Sequence, residues 1–244
     1  MLAILKREFK SYFTSPIGYV CLAVFVAFEG FYFSVLYSAG YPDVSYVYSG
    51  MFTIALFIIP ILTMRLLSED KRQKVDQALL TAPVSLWSIA VGKFLAALSV
   101  FALGFSPTLI YQLILQAVST PDWLVFFGNY LGIILLGSAL ISLGLFISSL
   151  TESQVVAAVG SFAVSLAIMS LDSFASMASS SVIDTIVGWV SFSARYSAFV
   201  SGSFDVTNLI FFLSFTAIFL FLTVRMLEKK RYSEGVRCNE ISKD

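Results

Sequence analysis

The chain has 244 residues, of which 58% are hydrophobic and only 12% charged. A soluble domain carries about 25% charged residues, so this composition excludes a disordered tail, a nucleic-acid-binding domain and an ordinary soluble enzyme. Fifteen Lys and Arg balance fifteen Asp and Glu, which leaves no global field to recruit a polyanion, and the absence of histidine removes His-based catalysis and the commonest zinc sites.

Met1–Ser15 opens the chain as a charged amphipathic segment. Leu2, Leu5, Phe9, Tyr12 and Phe13 share one helical face, while Lys6, Arg7 and Lys10 fall on its flank and back. This pattern predicts an interfacial helix, apolar side in the acyl boundary and basic side toward lipid phosphates. Ser15-Pro16 ends it, because the residue before proline is pushed out of the helical region. The first apolar stretch follows a charged helix and lacks a small-residue cleavage site, so it is expected to be retained as a span.

A membrane span needs about 20 mainly apolar residues. Charge-free runs cover 11–28, 30–42, 44–64, 94–121, 123–151, 153–171 and 206–224. They predict an all-α polytopic membrane domain filling residues 1–244, with six helices near 17–38, 46–64, 90–116, 126–149, 153–172 and 206–226. Fourteen of the fifteen Lys and Arg residues fall before the first span, between spans two and three, or after the sixth; only Arg195 lies on the other face. By the positive-inside rule both termini are expected to be cytoplasmic.

Glu29 stands about 12 residues into the first span, and an ionisable group at that depth is a functional candidate by default. Its expected places are the lining of a pathway or a protonated or hydrogen-bonded position facing the bundle. Pro60 in the second span, and Gly104 with Pro107 in the third, can kink those helices. Small residues crowd the fourth span, where Gly128-x-x-x-Gly132 permits close helix approach, either inside the bundle or at a homodimer seam.

Residues 65–85, RLLSEDKRQKVDQALLTAPVS, form the only sizeable loop on the basic side. Val75, Ala78, Leu79 and Ala82 share a helical face and Pro83 stops it, so a short helix presents Leu79 and Leu80 to the bilayer or to a partner. Residues 148–154, SSLTESQ, predict a tight hairpin with Ser and Thr as caps and Glu152 as its one charge. The opposite segment, 173–205, is too apolar for a free loop. Its short runs and Trp189, Phe192, Tyr196, Phe199 and Phe204 predict a re-entrant or interfacial cap. Residues 227–244 are expected to form a cytoplasmic tail.

No energy source is written in the chain. It has no G-x-x-x-x-G-K-[ST] phosphate loop, since Gly92-Lys93 lacks both the upstream glycine and the following hydroxyl residue. No metal or cofactor cluster is present in the sequence pattern, and Cys21 and Cys238 suggest no disulfide framework.

The start KREFKSYFTSPIGY, the loop TMRLLSEDKRQKVDQALLTAPVSLWSIAVGK, and the blocks NYLGIILLGSALISLGLFISSLTESQVVAA and FVSGSFDVTNLIFFLSFTAIFLFLT together resemble the permease subunit of type-2 ABC exporters, closest to the gliding-motility (GldF-like) branch. The resemblance implies a bacterial cytoplasmic-membrane permease that pairs with a second copy or a related permease chain. Two separate ABC ATP-binding subunits would dock beneath it and carry the ATP and Mg, with no cofactor bound by this chain and no enzyme activity of its own. It implies that Asp76, Leu79, Leu80, Thr81 and Pro83 belong to a coupling helix, with Glu152 in the neighbouring turn. Leu5, Lys6, Arg7, Phe9 and Lys10 would belong to a connecting helix, and the external segment would be a re-entrant helix pair. Where the family commonly has Thr-Glu this chain has Val75-Asp76, so the acid is kept and the hydroxyl lost. Two other readings stand beside it: a membrane anchor or scaffold of an envelope or motility machine, and a secondary carrier using Glu29.

Overall fold

The computed structural model describes residues 2–40, 43–72, 85–118, 121–178, 191–203 and 205–241. Their regular structure is helical throughout, and the helix ends follow the local chemistry. Helix α1 (Leu2–Thr14) stops at Ser15, which is extended at φ −98°, ψ 148° ahead of Pro16. The Ser15 hydroxyl then accepts from Ile17 N at 3.2 Å and caps α2 (Pro16–Ser38). Helix α3 (Ser45–Thr63) is followed by a turn and the short α4 (Ser68–Arg72).

Helix α5 (Leu86–Gly104) begins earlier than the sequence pattern predicts because Ser85 caps Ser88 N at 3.3 Å. Helix α7 (Trp123–Leu150) begins earlier than expected too, because Asp122 accepts from Leu124 N at 2.8 Å. Between them, the expected third span is two helices, α5 and α6 (Thr108–Val118), separated by Phe105, Ser106 and Pro107. Pro107 has no N–H for the Leu103 carbonyl. That carbonyl instead accepts from Ser106 N at 3.1 Å and Ser106 Oγ at 2.8 Å. The neighbouring Ala102 carbonyl accepts from Tyr130 Oη at 3.3 Å, so the broken ladder is re-satisfied by side chains. Pro60 differs: it sits inside α3, which continues through it to Thr63.

Helix α8 (Gln154–Ala178) follows a turn in which Ser153 N donates to Thr151 Oγ1 and Ser153 Oγ accepts from Val156 N, as the Ser/Thr-rich hairpin requires. Helices α9 (Phe192–Val200) and α10 (Val206–Ile241) complete the described chain. The last helix runs well past the expected end at 226, into what was read as a tail. Its continuation is rich in good helix formers, and Arg225 pairs with Glu228 one turn on at 2.9 Å.

Among the described residues, five helical stretches are long and apolar enough to cross a membrane: Pro16–Ser38, Ser45–Arg72, Leu86–Ala117, Trp123–Leu150 and Val206–Arg231. The expected fifth span, 153–172, is represented by a shorter apolar stretch, Gln154–Ser170, within α8. Helix α7 is the axis of the bundle, packed by α3, α5, α8, α9 and α10. Its small residues make that possible. Gly128 and Gly132 face the inside of this chain's own bundle, and a Cβ on Gly132 would sit 2.7 Å from Phe199 Cβ. A Cβ on Gly144 would overlap Thr63, whose Oγ1 is held by the Ile59 carbonyl at 2.9 Å and is fully buried. Gly144→Ala is therefore expected to destabilise the bundle by about 1–3 kcal/mol, read as a lower thermal midpoint in detergent. Thr63→Ala in the same chain should recover part of the loss; no interaction between the two changes would contradict this packing.

Candidate functional site

The basic end of the bundle carries a charge network that the sequence pattern did not reveal. Lys93 lies in the second turn of α5 between apolar neighbours, with 1% of its side chain exposed. It pairs with Glu8 of α1 at 3.1 Å and with Asp70 of α4 at 2.7 Å. These are ion pairs by distance and not aligned hydrogen bonds. Arg7 closes on Glu8 at 2.6 Å, so two cations and two acids balance in one cluster.

Arg65, at the start of the basic loop, extends the network. Its guanidinium donates to Ser11 Oγ at 2.6 Å and Ser15 Oγ at 2.5 Å, pairs with Glu69 at 3.2 Å and lies 5.3 Å from the centre of the Tyr12 ring. Tyr12 is buried and donates its hydroxyl to the Leu62 carbonyl at 2.9 Å. Burial holds that phenol well above its ordinary range, so it remains a donor. On the other flank, Ser148 Oγ accepts from Leu67 N and Ser68 N at 3.1 and 3.0 Å and donates to the Met64 carbonyl, and Lys71 donates to the Ser149 carbonyl. A pocket of about 230 Å³ opens among Arg7, Glu8, Tyr12, Arg65, Glu69 and Asp70.

This arrangement joins α1, α3, α4 and α5 beside the two ends of the 73–84 segment. Residues 65–72 lead into the 73–84 segment and α5 leads out of it; α1 is ion-paired to α5 through Glu8 and Lys93 and hydrogen-bonded to Arg65 through Ser11, while Lys93 bridges to Asp70. Helices α1, α4 and α5 are thereby joined by one charge network. The electrostatics set a pH limit on this joint. Burial pushes the Glu8 carboxyl up, but Lys93 and Arg7 outweigh it and hold it below the ordinary carboxylate value. The stabilisation is thus present above an ordinary carboxylate pKa of about 4 and is lost as pH falls through the depressed value. Acidification below about 4 should loosen α1, seen as faster backbone hydrogen exchange over residues 2–14. Glu8→Gln should lack that acid step, and an identical acid step in the variant would contradict the assignment.

Of the interfacial-helix residues, Lys6, Arg7 and Lys10 are exposed and Leu5 and Phe9 half-buried. Leu2 is exposed, and the inward face of α1 includes Glu8 as well as Tyr12, so this helix is anchored by charge as much as by apolar packing. Glu152 is exposed in the α7–α8 turn. Asp76, Leu79, Leu80, Thr81 and Pro83 lie outside the described residues. Pro107 marks the α5–α6 break and Pro60 lies inside α3. Glu29 is fully buried in α2 and faces the bundle, and neither carboxyl oxygen has a hydrogen-bond partner among the described residues.

At the opposite end, α9 turns its aromatic residues inward. Tyr196 donates to the Tyr48 carbonyl at 2.7 Å and stacks on Phe52, and Phe192 packs among Phe211, Phe212 and Phe215. Asn129 of α7 ties the same helix down. With its amide nitrogen toward α9, it donates to the Phe199 and Val200 carbonyls at 3.0 and 3.2 Å and accepts from Ser45 Oγ at 2.8 Å.

Comparison with family profiles matches residues 1–180 to the ABC-2 type transporter family. The chain belongs to that family. It is the membrane component of an ABC-2 type transporter, a multi-pass permease and not the catalytic subunit, and such permeases work with ATP-binding subunits. Comparison with curated proteins gives no match. The matched span contains α1, the charge network and the 73–84 segment, so the basic-end cluster belongs to the part of this ABC-2 chain that carries the family signal.

Proposed function

We propose that this chain is the pathway-forming permease of an ATP-driven exporter of the gliding-motility (GldF-like) branch. It pairs with a second permease chain and is driven by two separate ATP-binding subunits docked at its basic end. Both termini are cytoplasmic, α8 is the fifth of six spans, and α9 with the preceding segment forms the re-entrant external cap. Residues 76–83 are the coupling helix and α1 the connecting helix.

The observation that carries this reading is the buried Glu8–Lys93–Asp70 cluster, which ties α1 to both roots of the 73–84 segment. A solvated loop has no need of a buried lysine held between two acids, because exposed ion pairs contribute little and burying a charge costs several kcal/mol of desolvation. A rigid joint that passes force from a docked partner needs one. The kinked α5–α6 junction then absorbs bending while α7 holds the bundle together.

Mild-detergent purification from the native membrane, followed by mass spectrometry of stoichiometric companions, tests the proposal. Co-elution of a protein of roughly 25–35 kDa that carries a phosphate-binding loop supports it. A chain that elutes alone, with no ATPase activity restored by added membrane fractions, contradicts it and favours an anchor or a carrier.

A further inference from the structure

Glu29 is not explained by the coupling machinery. It is fully buried, and among the described residues both of its oxygens are unpartnered and no cation compensates it. Three phenols from three other helices lie within its electrostatic reach: Tyr48 of α3, Tyr111 of α6 and Tyr130 of α7. Two of them have their protons engaged elsewhere. Tyr48 donates to Thr108 Oγ1 at 2.9 Å, and Tyr130 donates to the Ala102 carbonyl. Thr108 Oγ1 in turn donates to the Phe105 carbonyl at 2.6 Å. Two of the hydroxyl oxygens around Glu29 thus have their own protons engaged and are left as acceptors among aromatic rings, groups that suit a positive charge.

A polar pocket opens at the end of the bundle opposite the basic network. It holds about 160 Å³ and is lined by Asp43, Val44, Gln112, Asp122, Phe126 and Asn129 among others, with no Lys or Arg. Val44, Gln112 and Phe126 each lie four residues from Tyr48, Thr108 and Tyr130, on three helices that run in alternating directions. The second set is thus one helical turn, about 6 Å, deeper than the first on all three helices. The pocket's lining carries two carboxylates and two amides, and the Tyr48 and Thr108 hydroxyls lie one turn below it.

We propose that Glu29 is a binding site for a single small monovalent cation, a hydronium or an alkali-metal ion, reached through the Asp43–Asp122 pocket. The external origin of that cation rests on the proposed orientation of the bundle. In an ATP-driven permease such a site makes the transport cycle sensitive to an ion that the ATP-binding subunits never touch. A pocket whose charged lining residues are all acids raises the local concentration of cations and repels anions, and an unpaired carboxylate in the membrane interior calls for a counter-charge or a proton.

The test uses the full chain in sealed vesicles of known orientation and needs no ATP-binding subunit, so its failure is distinguishable from failure of the exporter reading. Dicyclohexylcarbodiimide adds across a protonated carboxyl and leaves a stable adduct that peptide mass spectrometry locates. The adduct is expected at Glu29 and absent from Glu29→Gln. If the ion is hydronium, labelling falls as pH rises through the range in which buried carboxyls titrate and is indifferent to sodium. If it is an alkali-metal ion, sodium or potassium chloride protects at fixed pH where choline chloride does not. In either case the cation acts from the external side. Asp43→Asn with Asp122→Asn keeps both helix caps and should weaken the apparent cation affinity about tenfold. Labelling that ignores both pH and alkali cations, an absent adduct, protection only from the cytoplasmic side, or an unchanged affinity in the double variant would each overturn the proposal.

Discussion

Replacing Leu79 and Leu80 together by Asp is expected to release the ATP-binding subunits while leaving the permease in the membrane. The segment pattern places Val75, Ala78, Leu79 and Ala82 on one face and stops the helix at Pro83. If the helix docks into a cleft of the ATP-binding subunit, each leucine contributes about 1.5–3 kcal/mol through burial. Losing both, and placing two acids in the cleft, lowers affinity by more than roughly a hundredfold. Quantitative co-purification reads this directly. The charged loop and the apolar spans are untouched, so membrane insertion should remain at the wild-type level. Full retention of the ATP-binding subunits, or normal ATP-dependent transport by the double variant, would remove the proposed docking role.

The second large effect is expected at Lys93. Lys93→Met leaves Glu8 and Asp70 facing one another with little exposure and one cation removed. Breaking one side of a buried pair costs about 3–5 kcal/mol, because the surviving charge keeps its desolvation penalty. The loss should appear as a lower thermal midpoint and as faster exchange in α1 and around residues 65–72. The triple change Glu8→Gln, Asp70→Asn, Lys93→Met removes the charges together and should recover most of the stability. The account predicts a split: the triple variant is stable yet poorly coupled, because the joint between α1 and the 73–84 segment is gone. A triple variant with unimpaired ATP-dependent transport would reduce the cluster to a packing feature.

Much of the fold was legible because a membrane simplifies the pattern. Runs without charge mark spans, and Lys and Arg mark one face, so the apolar helices and their rough limits follow from composition alone. Limits failed where a cap decided them: Ser85 and Asp122 start α5 and α7 several residues before the apolar pattern suggests. The α5–α6 break was announced by Gly104 and Pro107, but its stability depends on Ser106, Thr108 and Tyr130, which no spacing rule connects.

The charge network was hidden for a similar reason. Glu8, Asp70 and Lys93 are far apart in sequence, and each reads as an ordinary charge near a membrane boundary. The one available signal was Lys93 itself, a cation set between Gly92 and Phe94 inside an apolar helix, which calls for a partner. Glu29 gave the same kind of signal and was singled out, but its phenol neighbours come from α3, α6 and α7 and emerge only once those helices are packed.

The most direct measurement of the central claim is site-specific photo-cross-linking from position 80 in native membranes, with a second probe in the exposed Glu152 turn. The account predicts a nucleotide-sensitive adduct between position 80 and a protein bearing a phosphate-binding loop. A probe at position 80 that captures only lipid or nothing, while the purified chain is shown to carry a bound ATPase, would contradict the claim that this segment couples ATP hydrolysis to the bundle.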